Sequence, residues 1–488
     1  MGAGGEEKSA VGTTKNLPRI CADGRGSRTK VKTGGLAGIS RWAKTKGDNG
    51  ERMSAAPQSA GVVSFEQARE TVLKYREQIA APLTEVLALP AALGRALAGP
   101  VQADRDFPPF PRATRDGFAV RADDVMTVPA SLRVVGQAKA GGSYDQVVTT
   151  GEAVEIMTGA AVPEGADAVV MVEYTSTKNA AGKTEVEIQR PVAAGENIVP
   201  AGAEAQAGQE ILPGGMRLGP AQIALAAGAG QARINVYRRP RVAILSTGDE
   251  LVEVAKTPGP FQIRNSNSYS LAAQVTAAGG EAMRLPVAPD LPRKLASLIR
   301  AGLAADMLVI SGGVSMGKFD LVETELKKMG ARFFFTGALI QPGRPVVFGD
   351  IGIQSNRSAQ SRAKARDLVR TKNVAKKIPF FGLPGNPISA MVCFDLFVRP
   401  VLDALSGALP ARLPAAKARL GKAVKTKTGL TRFFPAILQG SLLEPEVEVV
   451  PWQGSGDLLA SAQANCYLVV PPDRDSLAAG EMVSIVIR

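Results

Sequence analysis

The chain has 488 residues, 45% hydrophobic and 21% charged, enough for roughly three domains at about 150 residues each. No run approaches the roughly 18 uninterrupted apolar residues of a membrane helix, so a helical span and a membrane partner are excluded. The formal charge of +13 is concentrated, with 11 Lys/Arg against 5 Asp/Glu in residues 1–60 and 8 against 1 in residues 354–378; the rest is formally neutral, and no nucleic-acid partner is expected.

The sequence contains no histidine and 3 cysteines, Cys21, Cys393 and Cys466. A Ser-His-Asp triad, a His-ligated metal and an imidazole base are therefore excluded, and the scattered cysteines give neither a disulfide framework nor zinc spacing. A reducing cytoplasm is the expected setting. The chemistry must run on carboxylates, hydroxyls, Lys/Arg, backbone amides or groups that the substrate supplies.

In chain order, residues 1–62 read as a basic, poorly ordered extension without a secretory signal, and Met53 is a possible alternative start. A helix is predicted from Ser64, with Gln67 three residues on as a capping box and Phe65, Ala68, Val72, Tyr75 and Ile79 forming one apolar face. Residues 63–103 and 192–237 are expected to form a discontinuous linker domain. Between them, short apolar runs split by Gly and Pro over residues 104–191 predict an inserted β domain. Residues 238–406 alternate strands with helices, which implies an α/β domain with a mainly parallel sheet. Its basic stretch, 354–378, is expected to protrude between two strands near the active edge as a disordered loop. Residues 407–488 read as a small C-terminal β domain.

In a parallel α/β sheet, ligands sit outside the carboxyl ends of the strands. Four loops there are unusual: Ser246 to Glu250 (STGDE), Ser311 to Asp320 (SGGVSMGKFD), Gln341 to Pro345 (QPGRP) and Gly382 to Pro387 (GLPGNP). In the last, Gly382 and Gly385 permit close backbone approach, Asn386 can cap, and Pro387 needs no amide partner at the first helical position. A helix N-terminus aimed at the crevice is a seat for an oxyanion or phosphate. For one such loop alone, a turn that merely ends a strand is the blander reading; four loops on one edge favour a site. Asp249, Glu250 and Asp320 add carboxylates suited to Mg²⁺, a hard cation that shares its oxygen ligands with substrate phosphates.

These loops, together with "DGFAV" (Asp116 to Val120) and "IMTGAAVPEGADAVVMVE" (Ile156 to Glu173), resemble the MoeA family of molybdopterin molybdenumtransferases, also present as the E domain of gephyrin. The resemblance covers about Val63 to Arg488. It implies a multidomain α/β plus β fold: a central MogA-like α/β domain, an inserted small β domain, an elongated linker domain and a C-terminal β-barrel. It also implies transfer of molybdate to adenylated molybdopterin with Mg²⁺, releasing AMP. By motif, Asp249, Glu250 and Asp320 would position Mg²⁺ and the pyrophosphate bond. Thr247, Gly248, Ser311, Gly312, Gly313, Ser315, Pro384, Gly385, Asn386 and Pro387 would hold the pterin phosphate and nucleotide, and Arg344 would favour the oxyanion. Asp116 and Thr158 would act across a homodimer in the partner's crevice, and Asp116, Thr158, Glu250 and Asp320 form the implied catalytic set. Contact with a MogA-type adenylyltransferase is a further implication.

Three positions depart from the family pattern: Arg115 beside Asp116, Lys318, and Gln341-Pro-Gly-Arg344-Pro in place of Lys-Pro-Gly-Lys-Pro. Two other readings are open on the same residues: the adenylyltransferase that makes the adenylated pterin, and a non-catalytic pterin-binding scaffold.

Overall fold

The computed structural model describes residues 61–180, 183–313, 321–353, 376–410 and 412–488, and all structural statements below concern these. Among the implied site residues, Ser315 and Asp320 lie outside them, as do Lys318, Met53, Cys21 and most of the basic stretch.

The helix Phe65–Arg76 starts as its sequence dictates. The Ser64 hydroxyl accepts from the Gln67 N–H at 3.1 Å and the Gln67 side chain accepts from the Ser64 N–H at 2.9 Å, a complete capping box. Ala68, Val72 and Tyr75 are buried, with Phe65 and Ile79 packed beside them. Burying a side chain such as Val72 stabilises by about 1.5–3 kcal/mol. This face joins the core of the α/β body, against Phe348, Phe397 and Leu402. The segment expected as a linker is thus shared. Its helix packs on the α/β core, while Thr84–Ala88 and Val101–Gln102 pair antiparallel with Arg233–Tyr237 and Glu210–Leu212.

Between those pairings, six strands form the inserted sheet, in the order Ala168–Met171, Gly117–Val120, Glu152–Ile156, Ala130–Ala138, Lys183–Ile188, Thr175–Ala180. Gly117 is buried there, and a Cβ on it would collide with the Val170 carbonyl of the neighbouring strand.

The central sheet runs Glu281–Arg284, Arg241–Ser246, Met307–Ser311, Lys376–Leu383, Val347–Ile353, Arg332–Phe335. Its first four strands are mutually parallel, and Met307–Ser311 is buried throughout, as expected of a strand covered on both faces. Val347–Ile353 runs antiparallel to both neighbours. That reversal brings the Gln341 to Pro345 loop to the crevice edge at the start of a strand, not at its end. It also moves the basic stretch. Its anchors, Ile353 and Lys376, pair with each other at the amino-terminal edge of the sheet, opposite the crevice and not beside it as expected.

Near the C-terminus, Thr431–Gly440, Pro445–Val449, Ala415–Leu420, Met482–Ile487 and Cys466–Val470 close into a five-stranded barrel through pairing of the first with the last. Ile340–Gln341 pairs parallel with Thr431 and Arg432 and stitches the α/β body to the barrel. No helix among the described residues is long and apolar enough to cross a membrane.

Candidate active site

Register brings the loops together. Ser246 lies opposite Ser311, and Ser311 opposite Leu383, so three adjacent parallel strands end side by side. The loops are then tied to one another: the Thr247 N–H donates to the Ser311 carbonyl at 3.0 Å and the Gly312 N–H to the Leu383 carbonyl at 3.1 Å. Gly312 has φ +90°, and a Cβ on it would run into the Thr247 carbonyl, so glycine is required by both conformation and space.

Above these ends opens a crevice of about 690 Å³, within the usual range of small-molecule sites. Thr247, Glu250, Ser311, Gly312, Gly385, Asn386 and Pro387, all implied as site residues, line it. A Cβ at Gly385 would meet only the Gly312 Cα at 3.7 Å, which leaves space for a ligand against the backbone. Gly248 (φ +144°) lies under the Glu250 carboxylate. Asp249 is exposed, and its Oδ1 accepts from the Asp290 N–H at 3.1 Å. Gly313 and Pro384 flank the lining residues in the same two loops.

The helix Pro387–Cys393 departs from expectation at its start. Asn386 occupies the N-cap position but makes no capping bond; its Nδ2 instead donates to Ser455 Oγ at 2.8 Å. The Ile388 N–H is taken by the Ser455 carbonyl at 3.0 Å, and Pro387 has none to offer. The barrel loop therefore caps this helix and withdraws amides from the anion seat read from the sequence. Arg344 is exposed at the same edge and is not among the residues lining the crevice.

Several lining residues carried no recognised motif. Arg264, Asn265 and Ser266 enter from the segment before the helix Asn267–Ala277 and Asn267 from its first position, while Gly456 and Leu458 come from the C-terminal region beside the barrel. Asn267 is 8% exposed, and its Nδ2 donates to Ser311 Oγ at 2.8 Å and to the Gly385 carbonyl at 2.7 Å, clamping two site loops together. Asn265 Oδ1 accepts from Ser246 Oγ at 2.9 Å and the Ser268 N–H at 3.2 Å. The signal for these was the run of short polar side chains "RNSNS" directly before an apolar helix, a pattern that also reads as an ordinary helix start. Arg264 is the single cationic residue lining the crevice among the described residues.

Residues 63–230 match the family described as MoeA N-terminal region (domain I and II), residues 243–404 the probable molybdopterin binding domain, and residues 417–487 the MoeA C-terminal region (domain IV). The chain belongs to the MoeA family. The molybdopterin molybdenumtransferase of Bacillus subtilis (strain 168) is 33% identical over 413 residues, 83% of this chain and 90% of that protein. That of Haemophilus influenzae (strain ATCC 51907 / DSM 11121 / KW20 / Rd) is 32% identical over 431 residues, 87% of this chain and 98% of its own length. Among solved structures, the molybdopterin biosynthesis moeA protein from Pyrococcus horikoshii OT3 aligns with a TM-score of 0.67 at 28% identity, covering 88% of this chain and 100% of that one.

Two MoeA-family positions that depart here have visible surroundings. Gln341 Oε1 accepts from Arg432 Nε at 2.8 Å, and Arg432 is 4% exposed; a lysine at 341 would set an ammonium against that guanidinium. Arg115 forms no ion pair with Asp116, whose Oδ1 instead accepts the Thr158 N–H at 2.6 Å and hydroxyl at 2.8 Å. These two bonds, the backbone one first, hold the Asp116 carboxyl below its ordinary range. Asp116 and Thr158 thus meet each other on the inserted sheet, both exposed, and neither lines the crevice of their own chain.

Proposed function

We propose that this MoeA-family protein inserts molybdenum into molybdopterin, taking molybdate and adenylated molybdopterin and releasing AMP with Mg²⁺. The observation that carries the proposal is the crevice itself. Its polar lining consists of hydroxyls, amides, one carboxylate and one guanidinium, with no histidine or cysteine side chain among its lining residues. Such a site suits a substrate that brings its own sulfur ligands to the metal.

Ser311, Asn267, Gly312 and Gly385 would hold the pterin phosphate by hydrogen bonds at a rigid sheet edge, and Thr247 with Arg264 would orient the pyrophosphate. Among the described residues no three His, Cys, Asp or Glu side chains gather as a metal-binding group. Asp249 and Glu250 are exposed oxygen donors, which fits a cation that binds through one or two carboxylates and completes its shell with water and substrate phosphate. These two, with Asp320, would hold Mg²⁺, which when bound supplies neutralisation of phosphate charge. The protein's part is then positioning and electrostatic stabilisation rather than covalent catalysis.

Homodimerisation, with Asp116 and Thr158 reaching the partner's crevice, belongs to the same proposal, as do a cytoplasmic setting and receipt of the adenylated pterin from a MogA-type enzyme. So does the division into a linker of 63–103 and 192–237, an inserted β domain of 104–191, an α/β domain of 238–406 and a barrel domain of 407–488. The test is AMP release from adenylated molybdopterin with Mg²⁺, with and without molybdate, alongside Glu250→Gln. Molybdate-stimulated release lost in the variant is expected. Tight binding without release would make the protein a scaffold and overturn the reading.

A further inference from the structure

A second concavity, of about 110 Å³, lies away from the crevice, where the first helix, the helix Arg399–Leu405 and the last barrel strand meet. Four arginines line it: Arg69, Arg399, Arg412 and Arg488. Like charges are not held around one small hollow without something to offset them. Two carboxylates also line it, Asp395 and Asp403; Arg399 attracts both and Arg488 attracts Asp395, but their hydrogen bonds run elsewhere, and the four guanidiniums outnumber them. Asp395 accepts from Gln274 Nε2 at 2.9 Å and from the Tyr467 hydroxyl at 3.3 Å, and Asp403 from Arg217 Nη2 at 2.8 Å.

The donors of Arg69, Arg399 and Arg412 are nevertheless largely unused. Arg399 and Arg412 make no hydrogen bond or ion pair with any described residue. Arg69 uses one donor, Nη1, on the Leu396 carbonyl at 2.8 Å, out of the five that a guanidinium carries. Its partial burial lowers its pKa by desolvation, a loss that a bound anion would offset. Arg488 is anchored by the Ser461 carbonyl at 2.8 Å and lies over the Tyr467 ring.

We propose that this pocket is a second binding site, taking a single tetrahedral oxyanion of the phosphate class. Size favours a small ligand: at about 110 Å³, against about 690 Å³ for the main crevice, the hollow accommodates a phosphate-sized group. Chemistry selects it too, since planar guanidiniums bind phosphate oxygens through paired, charge-assisted hydrogen bonds. The occupied pocket would bridge Arg69 on the first helix, Arg399 on the α/β body and Arg412 at the barrel's entry.

The test is calorimetric titration of the full chain with inorganic phosphate at fixed ionic strength, comparing wild type, the Arg399→Gln/Arg412→Gln double variant and Ser311→Ala in the main crevice. Neither arginine makes a hydrogen bond or ion pair with a described residue, although Arg399 attracts Asp395 and Asp403, so the double variant retains the fold's hydrogen bonds and its circular dichroism should match wild type. Phosphate binding weakened at least tenfold by the double variant and unchanged by Ser311→Ala is expected. Glycerol phosphate, run in parallel, distinguishes the source: equal affinity identifies a phosphate monoester, and loss of affinity a free ion. No phosphate binding by wild type at 10 mM, equal binding by the double variant, or weakening by Ser311→Ala alone would each overturn the proposal.

Discussion

Asn267 offers the sharpest test of how the crevice is held. Its amide spans two loops, donating to Ser311 Oγ and the Gly385 carbonyl, and it is nearly buried. Asn267→Ala removes both bonds. At about 0.5–1.5 kcal/mol net for each, the loss is about 1–3 kcal/mol, toward the lower end because the exposed Gly385 can recruit water. Asn267→Asp is nearly isosteric but should be worse at neutral pH, because an ionised carboxylate has no proton to give the Gly385 carbonyl and loses solvation as well. The expected order of the main thermal transition is Asn above Ala above Asp, with Ala lower by about 2–4 °C per kcal/mol lost. Molybdate-stimulated AMP release should follow the same order. Lowering the pH should narrow the gap between Asp and Ala, since a protonated carboxyl can donate. If Asp melted and turned over like Asn, or Ala left both readouts unchanged, the clamp would be refuted.

Further outcomes follow from other contacts. Gln341→Lys should destabilise by about 1.5–3 kcal/mol, the worth of a hydrogen bond to a charged group, whereas Gln341→Glu should be neutral or stabilising; chemical denaturation distinguishes them, and equal effects would refute the Arg432 contact. The Asp395 carboxyl is pushed above its ordinary range, first by burial, although Gln274 and nearby arginines pull it back. A folded-state pKa above the unfolded one means that its contribution to stability is fully present below the unfolded value and is lost as pH rises through the folded value. Asp395→Asn should therefore gain in melting temperature relative to wild type as pH climbs out of the acid range, and a pH-independent difference would refute the assignment. If Asp116 works across a homodimer, mixing inactive Asp116→Ala and Glu250→Gln chains should restore roughly a quarter of wild-type activity, since random pairing makes half the dimers mixed and each mixed dimer keeps one intact site. No recovery, with exchange of chains verified by mass, would refute cross-dimer action.

Much of the fold was legible because it rests on local rules. Ser64 and Gln67 announce a helix start whatever surrounds them, and the β-α alternation after Arg239 implies parallel strands whose carboxyl ends face one way. Since loops following parallel strands share one edge, Thr247, Glu250, Ser311, Gly312 and Gly385 could be placed together from the sequence alone. The reversed strand Val347–Ile353 was not legible. A largely buried seven-residue strand such as VFGDIGI reads the same in either direction, and its direction decides which edge receives the basic stretch.

The sequence by itself determined the chemistry available and the loops that deliver it: the absence of histidine, the glycines at 312 and 313, and the carboxylates at 249 and 250 are properties of residue type and order. Only the tertiary structure decided which groups remain free to act. Asn386 could cap its own helix, but Ser455, about seventy residues away in sequence, takes its amide and supplies the carbonyl that meets Ile388. Asn267 could be an ordinary helix start, yet packing places its donors on two other loops. A hydrogen-bonding group has local options that sequence shows, and it chooses among them by what long-range packing brings within about 3 Å.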